Sequence, residues 1–253
     1  MATWGSHFRI AENILEKHPK LNRKYFTVGS VAPDCGLPNK DWSAFTPPKD
    51  ISHFITHKVA NFLVIKTNKF LLNDTKFFLN YLEGHDVISS QTDRSFLLGY
   101  FLHLITDNLW NYYIMRPLKE NYLNEFKKNQ NFIWKVKTDW YDLDKIYITE
   151  KTDSLFWTDF LEAEYNEELL DFLPKEGVQR QLEFIKKFYQ ISKEEYSKIS
   201  RRRFIFLEKI EMDSFIQKSS NIILELLTLI FAKNINFADN TSVLDNDFIK
   251  NLL

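Results

Sequence analysis

The chain has 253 residues, a formal net charge of −1, a hydrophobic content of 44% and one cysteine. This composition is sufficient for a sizeable core, and a single cysteine excludes both an internal disulfide framework and a cysteine-based zinc cluster. The near-neutral charge removes the electrostatic argument for a nucleic acid or an anionic membrane as partner. All six histidines lie within the first 103 residues, so we expect any histidine-based chemistry in the front part of the chain.

Helical periodicity dominates the chain and predicts an all-α fold. The first helix follows Ser6 as N-cap and runs to about His18, whereas residues 26–50 hold four of the seven prolines and indicate an irregular loop. Further helices are predicted at 50–66, 73–82, 92–115 (ended by Pro117), 118–128, 139–147, 153–172, 175–190, 192–211, 213–233 and 244–252. We expect one all-helical domain of about ten helices over residues 1–253. In it, residues 151–253 would pack as a helical extension on a core of residues 1–150.

Several classes of function lack their sequence signals. The chain contains no P-loop, no dinucleotide-binding glycine motif and no serine in a glycine-flanked elbow. No secretory signal pattern opens it, and its two most apolar runs, 96–110 and 222–232, fall short of the ~20 residues of a membrane span. We therefore expect a cytoplasmic protein without a transmembrane segment. The three arginines at 201–203 indicate a solvated helix face rather than a nucleic-acid contact.

The segment 96–110 carries the strongest chemical signal. It is apolar nearly all the way round, which is typical of a buried helix, and it contains His103 and Asp107 four residues apart on one face. A buried carboxylate is unfavourable unless it is paired or bound to a cation. Gly99 lies one turn earlier on the same face and leaves space beside the pair. These features favour a ligand or catalytic role over a simple hydrogen bond inside the core.

Four other residues are weaker candidates. His7 lies on the apolar stripe of the first helix, where a hydrogen-bonded core histidine is the more common outcome. Asp34 follows Ala-Pro in the proline-containing loop, where aspartate usually forms a turn. His53 and His57 have the four-residue spacing that can chelate one metal, although they lie on the polar side of their predicted helix. Imidazole and carboxylate without thiolate suit Zn²⁺, Mn²⁺ or Fe²⁺.

Taken in order, four segments resemble the zinc-dependent phospholipase C family. They are Trp4-Gly-Ser-His7, Gly29-Ser-Val-Ala-Pro-Asp34, Ser52-His53-Phe54 and the run from Gly99 to Trp110 that contains His103 and Asp107. The resemblance implies an all-helical fold and a zinc cluster that hydrolyses phosphodiesters. It also implies that one metal is held by Asp34, His53, His103 and Asp107. His7 would bind a second metal, with Asp107 bridging the two ions.

The chain departs from the family pattern in two places. In the secreted members an N-terminal tryptophan contributes its amine to the cluster, whereas Trp4 here follows three residues. A further metal of the family uses histidine and glutamate ligands later in the chain, and no histidine follows His103. The resemblance therefore predicts a reduced site of one or two ions. Asp139, Asp142 and Asp144 are candidate replacement ligands, although N-capping or a solvated helix start is their more common role.

These observations lead to a primary hypothesis and two alternatives. The primary hypothesis is a zinc-dependent hydrolase of a phosphodiester or phosphomonoester, acting on a small phosphoester or a phospholipid-like molecule, with Asp34 as the catalytic carboxylate. One alternative is a His-Asp type helical phosphohydrolase that uses His53, His85 and Asp86. The other is a non-enzymatic relative that keeps the helical scaffold as a binding module. The sequence carries no signal for an oligomeric state.

Overall fold

A computed structural model describes residues 1–40, 44–55, 70–83, 90–129, 131–166, 168–232, 242–245 and 247–253. Most of the predicted helix at 50–66 lies outside these ranges, as do His57, His85 and Asp86. Within them the regular structure is helical apart from one antiparallel hairpin, in which β1 (Leu37–Pro38) pairs with β2 (Phe45–Thr46). The predicted all-α class is confirmed. No helix in the described ranges combines the length and the apolarity that a membrane span requires.

The helices have the following bounds, in chain order. They are α1 (Trp4–Lys17), α2 (Arg23–Gly29), α3 (Lys49–Ser52), α4 (Asp74–Tyr81), α5 (Gln91–Trp110), α6 (Arg116–Asn121), α7 (Leu123–Lys128), α8 (Phe132–Glu150), α9 (Lys175–Tyr189), α10 (Lys193–Ile199), α11 (Lys209–Phe231) and α12 (Asp247–Lys250). Short 3₁₀ turns lie at Ala32–Asp34 and Val243–Asp245, and π-helical turns lie at Asn111–Met115 and Phe156–Phe160.

Helix α5 lies at the centre of the fold, and every residue from Ser95 to Trp110 is buried. Gly29 of α2 and Gly99 of α5 allow the backbones of these two helices to contact each other directly. A Cβ on Gly99 would lie 2.2 Å from the carbonyl oxygen of Phe26, and a Cβ on Gly29 would lie 2.1 Å from that of Phe96. The space beside Gly99 is therefore filled by the backbone of α2, which corrects the expectation of a cavity for a ligand. This close crossing brings the loop after α2 to the face of α5 that carries the His–Asp pair.

Gly99→Ala is expected to lower the free energy of unfolding by about 3 kcal/mol. The added Cβ would force one of the two helix backbones to shift, because it would overlap with the backbone of α2. Urea unfolding measures the change. Gly177→Ala is the matched control, since its Cβ would meet its nearest atom at 3.3 Å, a gap that a small shift relieves. If both variants lost the same stability, the backbone contact at Gly99 would not be the cause.

Helix α1 begins earlier than predicted. Thr3 is the N-cap and its hydroxyl accepts from the Ser6 backbone N–H, so Ser6 lies inside the helix and is not the cap. Helix α11 packs along α1, with an Arg9–Asp213 ion pair of 2.6 Å and a hydrogen bond from the Asn13 amide. The division into a core of 1–150 and an extension of 151–253 stays a prediction, although this packing is compatible with it.

Pro117 does not end the helical path. Helix α5 passes through the π-helical turn into α6, which starts at Arg116 and contains Pro117 in its first turn. In that turn the Arg116 N–H donates to the carbonyl of Asn111, five residues back. Proline has no N–H to donate to a preceding carbonyl, and the wider π-helical turn directly before Pro117 lets the helical path continue past it.

The continuous helix predicted at 192–211 is interrupted. Arg201 and Arg203 are exposed, as predicted, whereas Arg202 is only partly exposed. Between α10 and α11 the backbone N–H groups of Ile205 and Phe206 each donate to the Asp139 carboxylate, at 2.7 Å. Arg202 pairs with both Asp139 and Asp142 of α8. These contacts hold the segment as a turn against α8. Other predicted boundaries also differ. The described residues of 153–172 contain only a π-helical turn, residues 26–29 belong to α2, the helix predicted at 139–147 extends over Phe132–Glu150, and the one predicted at 118–128 is divided between α6 and α7.

Candidate metal centre

Five side chains from four parts of the chain converge at the centre of the fold. His7 comes from α1, Asp34 from the 3₁₀ turn after α2, His53 from the end of α3, and His103 and Asp107 from α5. Their ligand atoms form two overlapping groups within 4.8 Å, one of His7, His103 and Asp107 and one of Asp34, His53 and His103. The structure thus brings together the five residues that the family resemblance assigned as metal ligands.

Asp107 is at the middle of this cluster. Its Oδ1 lies 3.6 Å from Nε2 of His7, and its Oδ2 lies 3.8 Å from Nε2 of His53 and 3.6 Å from Nε2 of His103. Oδ1 of Asp34 lies 3.4 Å from the same His53 nitrogen. The rings of His7 and His103 stack with their centroids 3.9 Å apart. Each oxygen of Asp107 therefore faces a different group of histidines.

Four atoms of the cluster are buried without a hydrogen-bond partner. They are Nε2 of His7, His53 and His103, and Oδ2 of Asp107. A buried polar atom left unpaired costs about 1–3 kcal/mol, and four that face one another are typical of a cation-binding site. A tetrahedral zinc ion with bonds of ~2.0–2.1 Å separates its ligand atoms by about 3.3–3.5 Å. The four carboxylate–imidazole separations of 3.4–3.8 Å are close to that spacing. All ligand atoms of each group lie within 4.8 Å of one another, so the donor set can hold zinc after small shifts.

The second nitrogen of two histidines is held by the surrounding structure. Nδ1 of His103 lies 2.8 Å from the carbonyl oxygen of Ser30, and Nδ1 of His53 lies 2.9 Å from the hydroxyl of Ser52. A carbonyl only accepts, so Nδ1 of His103 carries the proton and a neutral ring directs the lone pair of Nε2 into the cluster. Such second contacts fix the tautomer and the orientation of metal-binding imidazoles.

Burial and charge set the protonation of the histidines in different directions. Burial lowers the pKa of His7 to about 4 and also lowers the pKa of His53. Burial acts in the same sense on His103, but the adjacent Asp107 carboxylate outweighs it and raises that pKa above its usual value. His7 and His53 therefore favour the neutral form that a metal ligand requires. A proton on the metal-free cluster would be held by His103 first, and a metal bound at its Nε2 would displace that proton.

Both carboxylates are ionised at neutral pH. Burial alone would raise the pKa of Asp34, but the Lys49 ammonium and His53 hold it well below its usual range. The N-terminal ammonium and His103 overcome burial at Asp107 and hold its pKa well below the usual range. The cluster therefore presents two anionic ligands at neutral pH.

Three contacts to these carboxylates were missed by sequence reasoning. The indole Nε1 of Trp4 donates to Oδ2 of Asp34 at 2.9 Å, and the Lys49 ammonium lies 2.9 Å from Oδ1. The backbone N–H of Ala2 donates to Oδ1 of Asp107 at 2.6 Å. Trp4 belongs to a segment that the sequence had singled out, whereas nothing in the pattern around Lys49 or Ala2 marks them as partners of a buried carboxylate.

The three candidate replacement ligands lie elsewhere. Asp139 and Asp142 bind Arg202, as described above. Asp144 accepts from the Tyr189 hydroxyl at 2.8 Å and packs against the start of α1, where a Cβ on Gly5 would lie 2.3 Å from its carboxyl carbon. None of the three belongs to a metal-binding group among the described residues. The suggestion that they replace lost ligands is therefore not supported, because each is committed to holding helices together.

Asp144 makes the stability of the protein depend on pH. Burial raises its pKa from 3.8 to about 6, so the folded state binds a proton that the unfolded chain releases. Its contribution is fully present below about pH 4 and is lost as the pH rises through about 6, a change of about 3 kcal/mol. In Asp144→Asn, which cannot ionise, we expect this component to disappear. Urea unfolding between pH 4 and 8 compares the two proteins, and a difference in stability that stayed constant with pH would contradict the assignment.

The described fold and cluster define an all-helical protein with a buried histidine–aspartate centre suited to zinc. The chain belongs to the zinc-dependent phospholipase C family, since the family model described as zinc dependent phospholipase C matches residues 6–171, more than half of the chain. All five residues of the cluster lie within the matched part. Searches of the curated proteins and of the solved structures find no match.

Proposed function

We propose that the chain is a zinc-dependent phosphoester hydrolase whose metal centre is the cluster described above. Asp34, His53, His103 and Asp107 would hold one ion, and His7 with Asp107 a second. The observation that carries the proposal is the convergence of four buried ligand atoms that have no other partner. The division of the Asp107 oxygens between His7 and the other two histidines supports a bridging carboxylate.

Zinc bound here would supply a Lewis acid for a phosphoryl oxygen and a coordinated water of lowered pKa. The chain provides the orientation. Asp34 is the cluster member with most solvent contact, its side chain being 8% exposed against 0–1% for the other four. Because its pKa lies well below the usual range, Asp34 is a weak base. We therefore assign it to binding the metal and orienting the attacking water, rather than to storing a proton.

The surroundings of Asp34 favour an amphiphilic substrate. The Lys49 ammonium at Asp34 lies 3.9 Å from the sulfur of Met1, which is partly exposed, and Ile51 of the same short helix is 48% exposed. Apolar and cationic groups beside Asp34 suit a phospholipid-like molecule better than a wholly polar one.

The two alternatives make different demands on the chain. The His-Asp type phosphohydrolase requires His85 and Asp86, which lie outside the described residues. It gives no role to His7 or Asp107, whose side chains converge in the cluster. A non-enzymatic relative would have no need for an intact set of orphaned ligand atoms. Alanine variants at His7 and Asp34 should lose metal under our proposal, whereas variants at His85 and Asp86 should keep it.

Hydrolysis by the zinc-loaded protein tests the proposed activity. The substrates are bis(p-nitrophenyl) phosphate, p-nitrophenyl phosphate and phosphatidylcholine in mixed micelles. We expect zinc-dependent cleavage of at least one of them, abolished by a chelator, restored by zinc and absent from His103→Ala. A protein that holds zinc stoichiometrically and cleaves none of the three would contradict the proposal and favour the non-enzymatic relative.

A further inference from the structure

Four aromatic side chains form a cluster beside the metal centre, which we call the aromatic wall. They are Trp4 of α1, Tyr141 of α8, and Phe184 and Phe188 of α9. The ring of Trp4 meets those of Phe184 and Phe188 edge to face, with centroids 5.8 and 5.6 Å apart. Phe188 meets Tyr141 in the same way at 5.2 Å. These contacts fix the rings relative to one another, so the wall is a preformed surface.

Trp4 connects the aromatic wall to the metal centre. Its indole Nε1 donates to Oδ2 of Asp34 at 2.9 Å. The same indole contacts both phenylalanine rings of α9, so a single ring separates Phe184 and Phe188 from a proposed metal ligand. Asp34 is also the cluster member with most solvent contact. A phosphoester that reaches the metal beside Asp34 therefore has the aromatic wall as a neighbour of its alcohol part.

The aromatic wall leaves apolar area uncovered. Phe184 is 49% exposed, and the other three rings are partly exposed. Single exposed apolar residues need no explanation, whereas a group of them beside a polar centre is typical of a ligand-binding surface. Trp4, Phe184 and Phe188 lie outside residues 6–171, the part of the chain that the family model matches. Most of the wall is thus contributed by residues beyond the matched part.

The charges around the aromatic wall favour a neutral occupant over a cationic one. Aromatic rings attract cations, but the Lys145 ammonium already lies 4.9 Å from the Phe188 ring and pairs with Glu195 at 2.6 Å. That ammonium would repel a second cation at the same ring. The carboxylate of Asp34 is paired with Lys49. A neutral apolar group meets no such repulsion, and its burial against the rings is favourable.

We propose that the aromatic wall binds the apolar alcohol part of the phosphoester substrate and thereby determines substrate specificity. The inference rests on the proposed function for the presence of a phosphoester at the metal. The metal centre would hold the phosphoryl group, and the exposed ring of Phe184 would supply the largest free contact area. Helix α9 would make the C-terminal part of the chain a component of the substrate site.

The binding of two phosphonates to the zinc-loaded protein, measured by titration calorimetry, tests this inference without turnover, because their carbon–phosphorus bond replaces the ester bond. Methylphosphonate presents the phosphoryl group almost alone, and hexylphosphonate adds an apolar chain. We expect the wild type to bind hexylphosphonate at least about tenfold more tightly than methylphosphonate. Phe184→Ala should reduce this ratio to about twofold, since most of the free apolar area is then lost. Phe184→Tyr, which keeps the ring, should retain it.

Phe231→Ala is the matched control. Phe231 is 42% exposed and contacts His18, which lies at the opposite end of α1 from Trp4. Its exposure is similar to that of Phe184, so loss of an exposed ring in general would affect both variants alike. The control should keep the wild-type ratio of affinities, and zinc content should be unchanged in all three variants.

Three results would overturn the inference. They are absence of binding or of a preference in the wild type, a wild-type ratio in Phe184→Ala, and a stronger preference for a phosphonate that carries a trimethylammonium group, lost in Phe184→Ala, which would show that the wall binds a cation.

The inference and the proposed function can fail separately. A ratio that depends on Phe184 in a protein that hydrolyses no phosphoester would support the aromatic wall and contradict the proposed function. Hydrolysis by a protein whose ratio does not depend on Phe184 would support the function and contradict the wall.

Discussion

Asp107→Asn is expected to empty the metal centre. The two oxygens of Asp107 face three histidines, and asparagine keeps the shape of the side chain while removing its negative charge. The amide NH₂ group would also face imidazole nitrogens that need a cation. We expect zinc content close to zero by elemental analysis. Since loss of an outer contact to a metal ligand already costs ~10–100-fold, we expect kcat/KM to fall more than about a thousandfold.

Asp93→Asn is the control for this variant. It makes the same chemical change on the same helix, in the first turn of α5, and should leave zinc content at the wild-type value. Retention of stoichiometric zinc by Asp107→Asn would show that the cluster does not depend on its central carboxylate, and the assignment of the bridging ligand would be wrong.

Removal of zinc is expected to lower the midpoint of thermal unfolding by about 10 °C. Three histidine nitrogens and one carboxylate oxygen are buried without partners, so the metal-free fold bears their full desolvation cost. A ligand present at about 1,000 times its Kd stabilises the native state by about 4 kcal/mol. In a domain of this size each kcal/mol corresponds to about 2–4 °C.

Calorimetry of chelated and zinc-reconstituted protein measures this shift. Mg²⁺ should not restore stability, because it requires oxygen ligands and this cluster offers mainly imidazole nitrogen. The Asp107→Asn protein should show the same midpoint with and without zinc. A wild-type midpoint that did not respond to zinc would mean that the orphaned atoms are not a metal site.

The ligand candidates could be read from the sequence because their signals are local. The four-residue spacing of His103 and Asp107 on an apolar helix fixes a shared buried face, and this holds whatever surrounds the helix. His7 and Asp34 carried weaker local signals. They were predicted as metal ligands only because their segments occur in the same order as those of the family. The contact that unites them is the crossing of α2 and α5 at Gly29 and Gly99. A glycine in the sequence shows that a Cβ is absent but does not show what fills the space.

Lys49 could not be predicted as a partner of Asp34 for a different reason. It belongs to a chain with 33 lysines and arginines, and a surface lysine has the same local pattern as one that borders a metal centre. The helix boundaries near Pro117 and Arg202 were also beyond local reasoning. The turn at 201–206 is held by Asp139, more than sixty residues away, and the passage through Pro117 depends on a π-helical turn.

The metal content of the purified protein tests the central claim most directly. Elemental analysis of the wild type, His103→Ala and His85→Ala compares the proposed ligand with its rival from the alternative hypothesis. We predict one or two zinc ions per chain in the wild type, the same content in His85→Ala and a clear loss in His103→Ala. A wild type without metal, or zinc that is lost from His85→Ala and retained by His103→Ala, would contradict the account.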